Sequence, residues 1–154
     1  MARTKIDYGI DLGTTNSAIA RMENGESIIK KSEGFQKDTT PSCVHFNKKK
    51  SIFVGDKAYN ILGKEAILSF KKNDATLKNT FIEFKRTMGT DEKYESKNMG
   101  KSYSSDELSA EVLKALKGYV RDEEINSVVI TVPAKFQGYQ IDATKKAAEL
   151  AGFQ

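Results

Sequence analysis

The stretch Ile10-Asp11-Leu12-Gly13-Thr14-Thr15-Asn16-Ser17 restricts what this chain can build more than any other. Ile6, Tyr8, Ile10 and Leu12 alternate along the approach to it, with Asp7, Gly9 and Asp11 on the opposite face, as in a half-buried strand. Gly13 permits a sharp turn, and Ala18, Ile19 and Ala20 then carry an apolar strand back antiparallel. The bend gathers backbone N–H groups, two hydroxyls and an amide, with the Asp11 carboxylate at its lip. Such a set suits a phosphate, with Asp11 holding Mg²⁺ directly or through water. A Gly-Thr-Thr-Asn turn is also an ordinary hairpin, because Gly and Asn favour bends for backbone reasons alone. The turn by itself serves both readings.

The chain has 154 residues, enough for one domain with a real core, and its 38% hydrophobic and 30% charged content fits a soluble globular protein. Its net charge of +4 comes from scattered lysines without interleaved aromatics, which argues against a nucleic-acid partner. Cys43 is the only cysteine and lies in an apolar run, so it reads as a small core residue in a reducing compartment. His45 is the only histidine, which argues against a zinc site. Met1–Lys5 carries no apolar leader and no later run is long enough to cross a bilayer, so a cytoplasmic location and no membrane partner are expected.

Asn24-Gly25 predicts a hairpin into a third strand at Ile28-Ile29, completing an antiparallel meander. Pro41 favours an extended conformation at Thr40, and Val44–Phe46 with Ile52–Val54 frame another hairpin. Asp56 is read as the N-cap of a short helix through Ala58, Ile61 and Leu62, while 63–79 has no clear period. Lys85 and Arg86 close an apolar and aromatic strand, and 89–105 reads as an exposed loop or a small peripheral sheet. Ser104 with Glu107 fits a capping box for a helix bearing Leu108, Val112, Leu116 and Tyr119. Val128–Val132 reads as a central buried strand, parallel to its neighbour after a helical crossover. Tyr139–Ala151 reads as a final helix with Ile141, Thr144, Ala148 and Ala151 on one face, stopped by Gly152.

Together these residues carry a resemblance. Gly9–Ser17 looks like the first phosphate motif of the DnaK-type, seventy-kilodalton heat-shock chaperones. Thr39-Thr40-Pro41-Ser42, Val54-Gly55, Asn79-Thr80, Lys85-Arg86, Ser109–Lys114, Val128–Ala134 and Ala143-Thr144-Lys145 follow in that family's order. The resemblance runs from about Ile6 to Gly152. It implies an α/β fold of the actin-like, ribonuclease-H-like ATPase type: a mixed sheet with flanking helices, of which 1–154 is the first lobe. Residues 31–105 would contain a peripheral insertion subdomain. The second lobe, with the remaining phosphate and adenosine segments, and the peptide-binding domain would lie beyond residue 154.

By the same resemblance, Gly13, Thr14, Thr15 and Asn16 would contact the phosphates of ATP or ADP, and Asp11 would hold Mg²⁺ through water. Lys85 would lie at the γ-phosphate and orient the attacking water, a role that suits a reaction governed by positioning and charge. Pro133 matches the relay position between nucleotide and substrate domain. The implied activity is ATP hydrolysis coupled to binding of unfolded polypeptides, with co-chaperones as further partners; the lobe alone is expected to be inactive. The stretch between Gly55 and Lys85 is longer than in the typical member. Phe136–Ile141 also differs from the usual pattern, with Ile141 standing where the family has an arginine used in interdomain signalling. Two alternatives remain: a sugar or polyol kinase of the same fold, which also begins with an Asp-x-Gly-Thr-Thr turn, and a non-hydrolysing module that binds nucleotide or a partner.

Overall fold

The alternating start of the chain becomes an antiparallel meander in the computed structural model, which describes residues 6–32, 34–74 and 78–154. The reading of Met1–Lys5, and the parts of the loop readings at Glu33 and Ala75–Leu77, lie outside the described residues. Strand β1 (Tyr8–Leu12) pairs with β2 (Asn16–Glu23), and β2 pairs with β3 (Glu26–Lys30). Tyr8, Ile10, Leu12 and Ile19 are all buried, so the period-two pattern does set the inward face. Asn24 and Gly25 both take positive φ in the turn between β2 and β3, as a two-residue hairpin of matching twist requires.

The short strand β4 (Thr40–Pro41) pairs with β2 at Asn16 and Ser17, against the phosphate-motif turn. Strand β5 (Cys43–Phe46) then pairs with both β6 (Ile52–Val54) and β7 (Thr80–Ile82) in a second sheet. Helix α1 (Asp56–Lys72) lies between β6 and β7 in the chain and packs against β5 and β7. It is much longer than expected, and its N-cap is Gly55 rather than Asp56, which sits in the first turn and pairs with Lys37 at 2.9 Å. The missing period has a physical cause. Only Ala58 of this helix is buried, while Tyr59, Ile67, Leu68 and Phe70 are exposed, so no single core-facing stripe disciplines the sequence.

Strands β8 (Lys93–Ser96) and β9 (Lys101–Ser104) form a two-stranded peripheral sheet. Helix α2 (Ser105–Gly118) follows directly, with the expected capping box between Ser104 and Glu107. Leu108, Val112, Leu113 and Leu116 of this helix are fully buried, and it contacts β2, β5, β9 and the last helix. Strand β10 (Val129–Thr131) pairs in parallel with β1, giving the order β10-β1-β2-β3. The parallel crossover is as expected; within this chain the strand lies at the edge of the sheet, and Val129 is 56% exposed. Helix α3 (Gly138–Leu150) packs on α2 through Ala143, Thr144 and Ala147, a face rotated from the expected one. Ile141 instead lines a groove beside β10 with Ile130, Val132, Ala148 and Phe153.

Candidate functional site

The turn between β1 and β2 closes so tightly that a Cβ on Gly13 would lie 1.9 Å from the Asn16 carbonyl oxygen. Two buried serines hold it from behind. The Ser42 hydroxyl donates to the Gly13 carbonyl at 2.7 Å, and the Gly13 N–H donates to Ser17 Oγ at 3.2 Å. The two hydroxyls lie 2.8 Å apart. Because Ser42 has committed its proton to Gly13, Ser17 must be the donor between them, and every group in this ring is satisfied. The Ser42 N–H completes the brace at the Thr15 carbonyl, 2.9 Å away. Gly13 thus spends its N–H and its carbonyl on shaping the bend, while Thr15 and Asn16 stand exposed and Thr14 half-exposed.

Asp11 leads into this turn at the C-terminal ends of the two parallel strands, where it pairs with Thr131 of β10. The Thr131 hydroxyl donates to Asp11 Oδ1 at 3.2 Å, leaving the exposed carboxylate with free acceptor capacity toward solvent. One exposed carboxylate beside hydroxyls fits Mg²⁺, a hard cation that keeps most of its waters and takes few protein ligands.

Lys85 does not end a strand. Glu83, at a φ of 57°, breaks β7 into a 3-10 turn over Phe84–Thr87, and this turn carries Lys85 back to β1. Its ammonium donates to the Leu12 carbonyl, between Asp11 and Gly13, and lies 5.5 Å from the centroid of the Phe136 ring. Burial pushes this ammonium below the ordinary lysine range, and the nearby Asp11 charge opposes that shift. Asp11, the Gly13–Asn16 turn and Lys85 therefore converge on one end of β1. Pro133 stands two residues beyond Thr131, exposed, and its carbonyl accepts from the Phe136 N–H at 3.0 Å. Sequence reading missed Ser17, Ser42, Thr131 and Phe136; Ser42 was visible in the Thr-Thr-Pro-Ser segment but without a role.

His45 and Cys43 belong to the second sheet. His45 Nδ1 lies 2.8 Å from Thr80 Oγ1 and 3.4 Å from Glu65. Burial lowers its proton affinity, with Glu65 partly opposing, whereas burial pushes the Cys43 thiol up to about 12 and leaves it inert. The unfolded histidine, near pKa ~6.5, binds a proton before the folded one does. Stability contributed by His45 is therefore present above about pH 6.5 and lost as pH falls through the lower folded value. Urea midpoints between pH 7 and 5 should fall more steeply for the wild type than for His45→Asn, which keeps a group near Nδ1 but cannot titrate.

Comparison with known proteins decides the family. The model of the family described as "Hsp70 protein" matches residues 7–154. The chain belongs to the Hsp70 family. It is 41% identical over 152 residues to the chaperone protein DnaK of Ureaplasma urealyticum, a match covering 96% of this chain and 22% of that protein. The chain thus spans about a fifth of the length of that curated relative. The mixed sheet with flanking helices is accordingly part of the first lobe of the family's actin-like ATPase fold. Membership favours the chaperone reading over a sugar or polyol kinase.

Proposed function

We propose that this chain is one jaw of a nucleotide clamp in a chaperone ATPase that couples ATP hydrolysis to binding of unfolded polypeptides. The observation that carries this is the seating of Lys85 on the Leu12 carbonyl, between Asp11 and the braced Gly13–Asn16 turn. Thr14, Thr15 and Asn16 face the phosphates of ATP or ADP, on a turn whose shape Gly13 fixes. Asp11, oriented by Thr131, holds Mg²⁺ through water, and the bound ion would offset phosphate charge there. Lys85 presents its ammonium to the terminal phosphate and the attacking water; its partial burial strengthens that interaction relative to bulk solvent. Pro133 relays the state of the site toward the polypeptide-binding part, and unfolded polypeptides and co-chaperones are partners of the complete protein in a cytoplasmic setting. Residues 31–105 contain a peripheral insertion, tied to the main sheet by β4.

Asp11, Thr15, Asn16 and Thr131 are all exposed, so this jaw forms one open wall rather than a pocket that encloses a ligand. The full-length protein should hydrolyse Mg-ATP and do so faster when an unfolded polypeptide is added. The isolated chain should show no turnover and only weak binding by calorimetric titration. Micromolar affinity for the isolated chain would overturn the one-wall reading. Phosphorylation of a polyol by the full-length protein would replace the chaperone with a kinase, and failure to hydrolyse ATP would favour a non-hydrolysing module.

A further inference from the structure

We infer that helix α1 presents a docking face for an amphipathic helix of another protein, one that carries acidic residues along its flank.

The face follows from the helical repeat. Ala58 and Glu65 point at the second sheet: Ala58 is buried, and Glu65 lies against His45 and the Asn79 N–H. Tyr59, Gly63, Ile67 and Phe70, spaced by four, four and three residues, form a stripe along a different side of the same helix. Tyr59 is 54% exposed, Ile67 59% and Phe70 88%. Single exposed apolar residues are ordinary, but large ones in a contiguous row mark an interaction surface. Toward the body of the protein the stripe borders a groove lined by Leu62, Ala66, Ser69, Phe70 and Asn73. Along its other border run Lys57, Lys64 and Lys71, seven residues apart and all exposed.

Charge says what this face receives. The only acids of α1 are Asp56, paired with Lys37, and Glu65, held beneath the helix, so the lysine row has no balancing charge on its own helix. A partner helix with carboxylates on one flank of its apolar stripe supplies that charge and covers the apolar side chains together. A second copy of this chain does not, because its α1 brings three more lysines and no exposed acid. Gly63 points to a helix rather than a lipid surface. It stands in the helix interior, where glycine is a poor helix former, yet a Cβ there would meet nothing within 4 Å. Packing among the described residues therefore does not call for a glycine. Its missing side chain leaves a notch between Tyr59 and Ile67, a hole for an apolar knob of a facing helix. A helix lying on lipid gains from a bulky apolar residue at such a position, not from a gap.

The test uses the full-length protein and a fluorescent helical peptide of about three heptads, with leucine along one stripe and glutamate along its flank. Fluorescence polarisation should show saturable binding, weakened at least about tenfold by Lys57→Glu, Lys64→Glu and Lys71→Glu together. A probe with lysine in place of glutamate should bind that triple variant and not the wild type, whereas capture of either probe elsewhere on the protein would be indifferent to these substitutions. Gly63→Ala should weaken binding of the acidic probe while raising the thermal midpoint, an opposition that damage to the fold would not produce. Should the triple variant not fold, p-benzoylphenylalanine in place of Phe70 reads the same face and should cross-link to the acidic probe on irradiation. Affinity indifferent to the three lysines, or to Gly63→Ala, would overturn the inference. So would cross-links from position 70 to the protein's own chain or to a second copy, or lysine-dependent binding to phosphatidylserine vesicles in place of the probe.

Discussion

Lys85→Ala in the full-length protein is expected to cut ATP turnover by at least about 100-fold while nucleotide affinity changes only a few-fold. The expectation follows from where the ammonium sits. It is held on the Leu12 carbonyl, one residue from Asp11 and one from Gly13, so it already occupies the edge of the Gly13–Asn16 turn. The grip on the α- and β-phosphates would come from the turn itself, whose shape is set by Ser17 and Ser42 and does not involve Lys85. Removing the cation therefore strips charge from the transferring group and leaves the cradle standing. Arginine should not rescue, because a planar fork cannot replace a point charge seated between a carbonyl and a ring. Single-turnover hydrolysis, paired with calorimetric titration of Mg-ATP, separates the two effects. A variant that hydrolyses ATP at the parent rate, or one that fails to bind nucleotide at all, would contradict this assignment.

How much of this was legible depends on whether a residue's role is written in its near neighbours. The meander was readable because Tyr8, Ile10 and Leu12 repeat with period two and face one core. The capping box at Ser104 and Glu107 was readable because both partners lie within one helical turn. Helix α1 was not, since it buries one alanine and leaves Phe70 88% exposed, so its sequence carries almost no core signal. Strand β10 reads as buried from its β-branched run, yet it lies at the sheet edge within this chain, because edge or centre depends on a neighbour rather than on the strand. The site splits the same way. Asp11 and the Gly13–Asn16 turn stand out as a local group of donors beside a carboxylate, though an ordinary hairpin explains the same residues equally well, whereas Lys85 reaches Leu12 across 73 positions and Ser42 reaches Gly13 across 29. Nothing local to Lys85 distinguishes it from the other lysines. Only the resemblance picked it out, and the 3-10 turn after Glu83 supplies the physical reason it can reach.

Gly13→Ala should damage the protein in a different way, losing stability and nucleotide binding together. The added methyl group would sit 1.9 Å from the Asn16 carbonyl oxygen, a contact with backbone rather than with a movable side chain. Overpacking of this kind costs about 1–3 kcal/mol even where neighbours can give. Here they cannot give without breaking the brace, since relief requires opening the turn and stretching the Ser42-to-Gly13 and Gly13-to-Ser17 hydrogen bonds. Both serines are buried, so a broken ring leaves polar groups unpaired away from water, which adds to the cost. The same opening would pull Thr14, Thr15 and Asn16 away from Asp11 and scatter the donors proposed to face the phosphates. Ser42→Ala tests the brace without the clash: it removes the donor to the Gly13 carbonyl and leaves the Gly13 N–H on Ser17. Denaturant unfolding and Mg-ATP titration on the two variants should therefore rank Gly13→Ala as the more severe in both measurements. An alanine at Gly13 that bound nucleotide as the wild type does would mean that the turn is reshaped, and that its phosphate-facing form is not the one seen here.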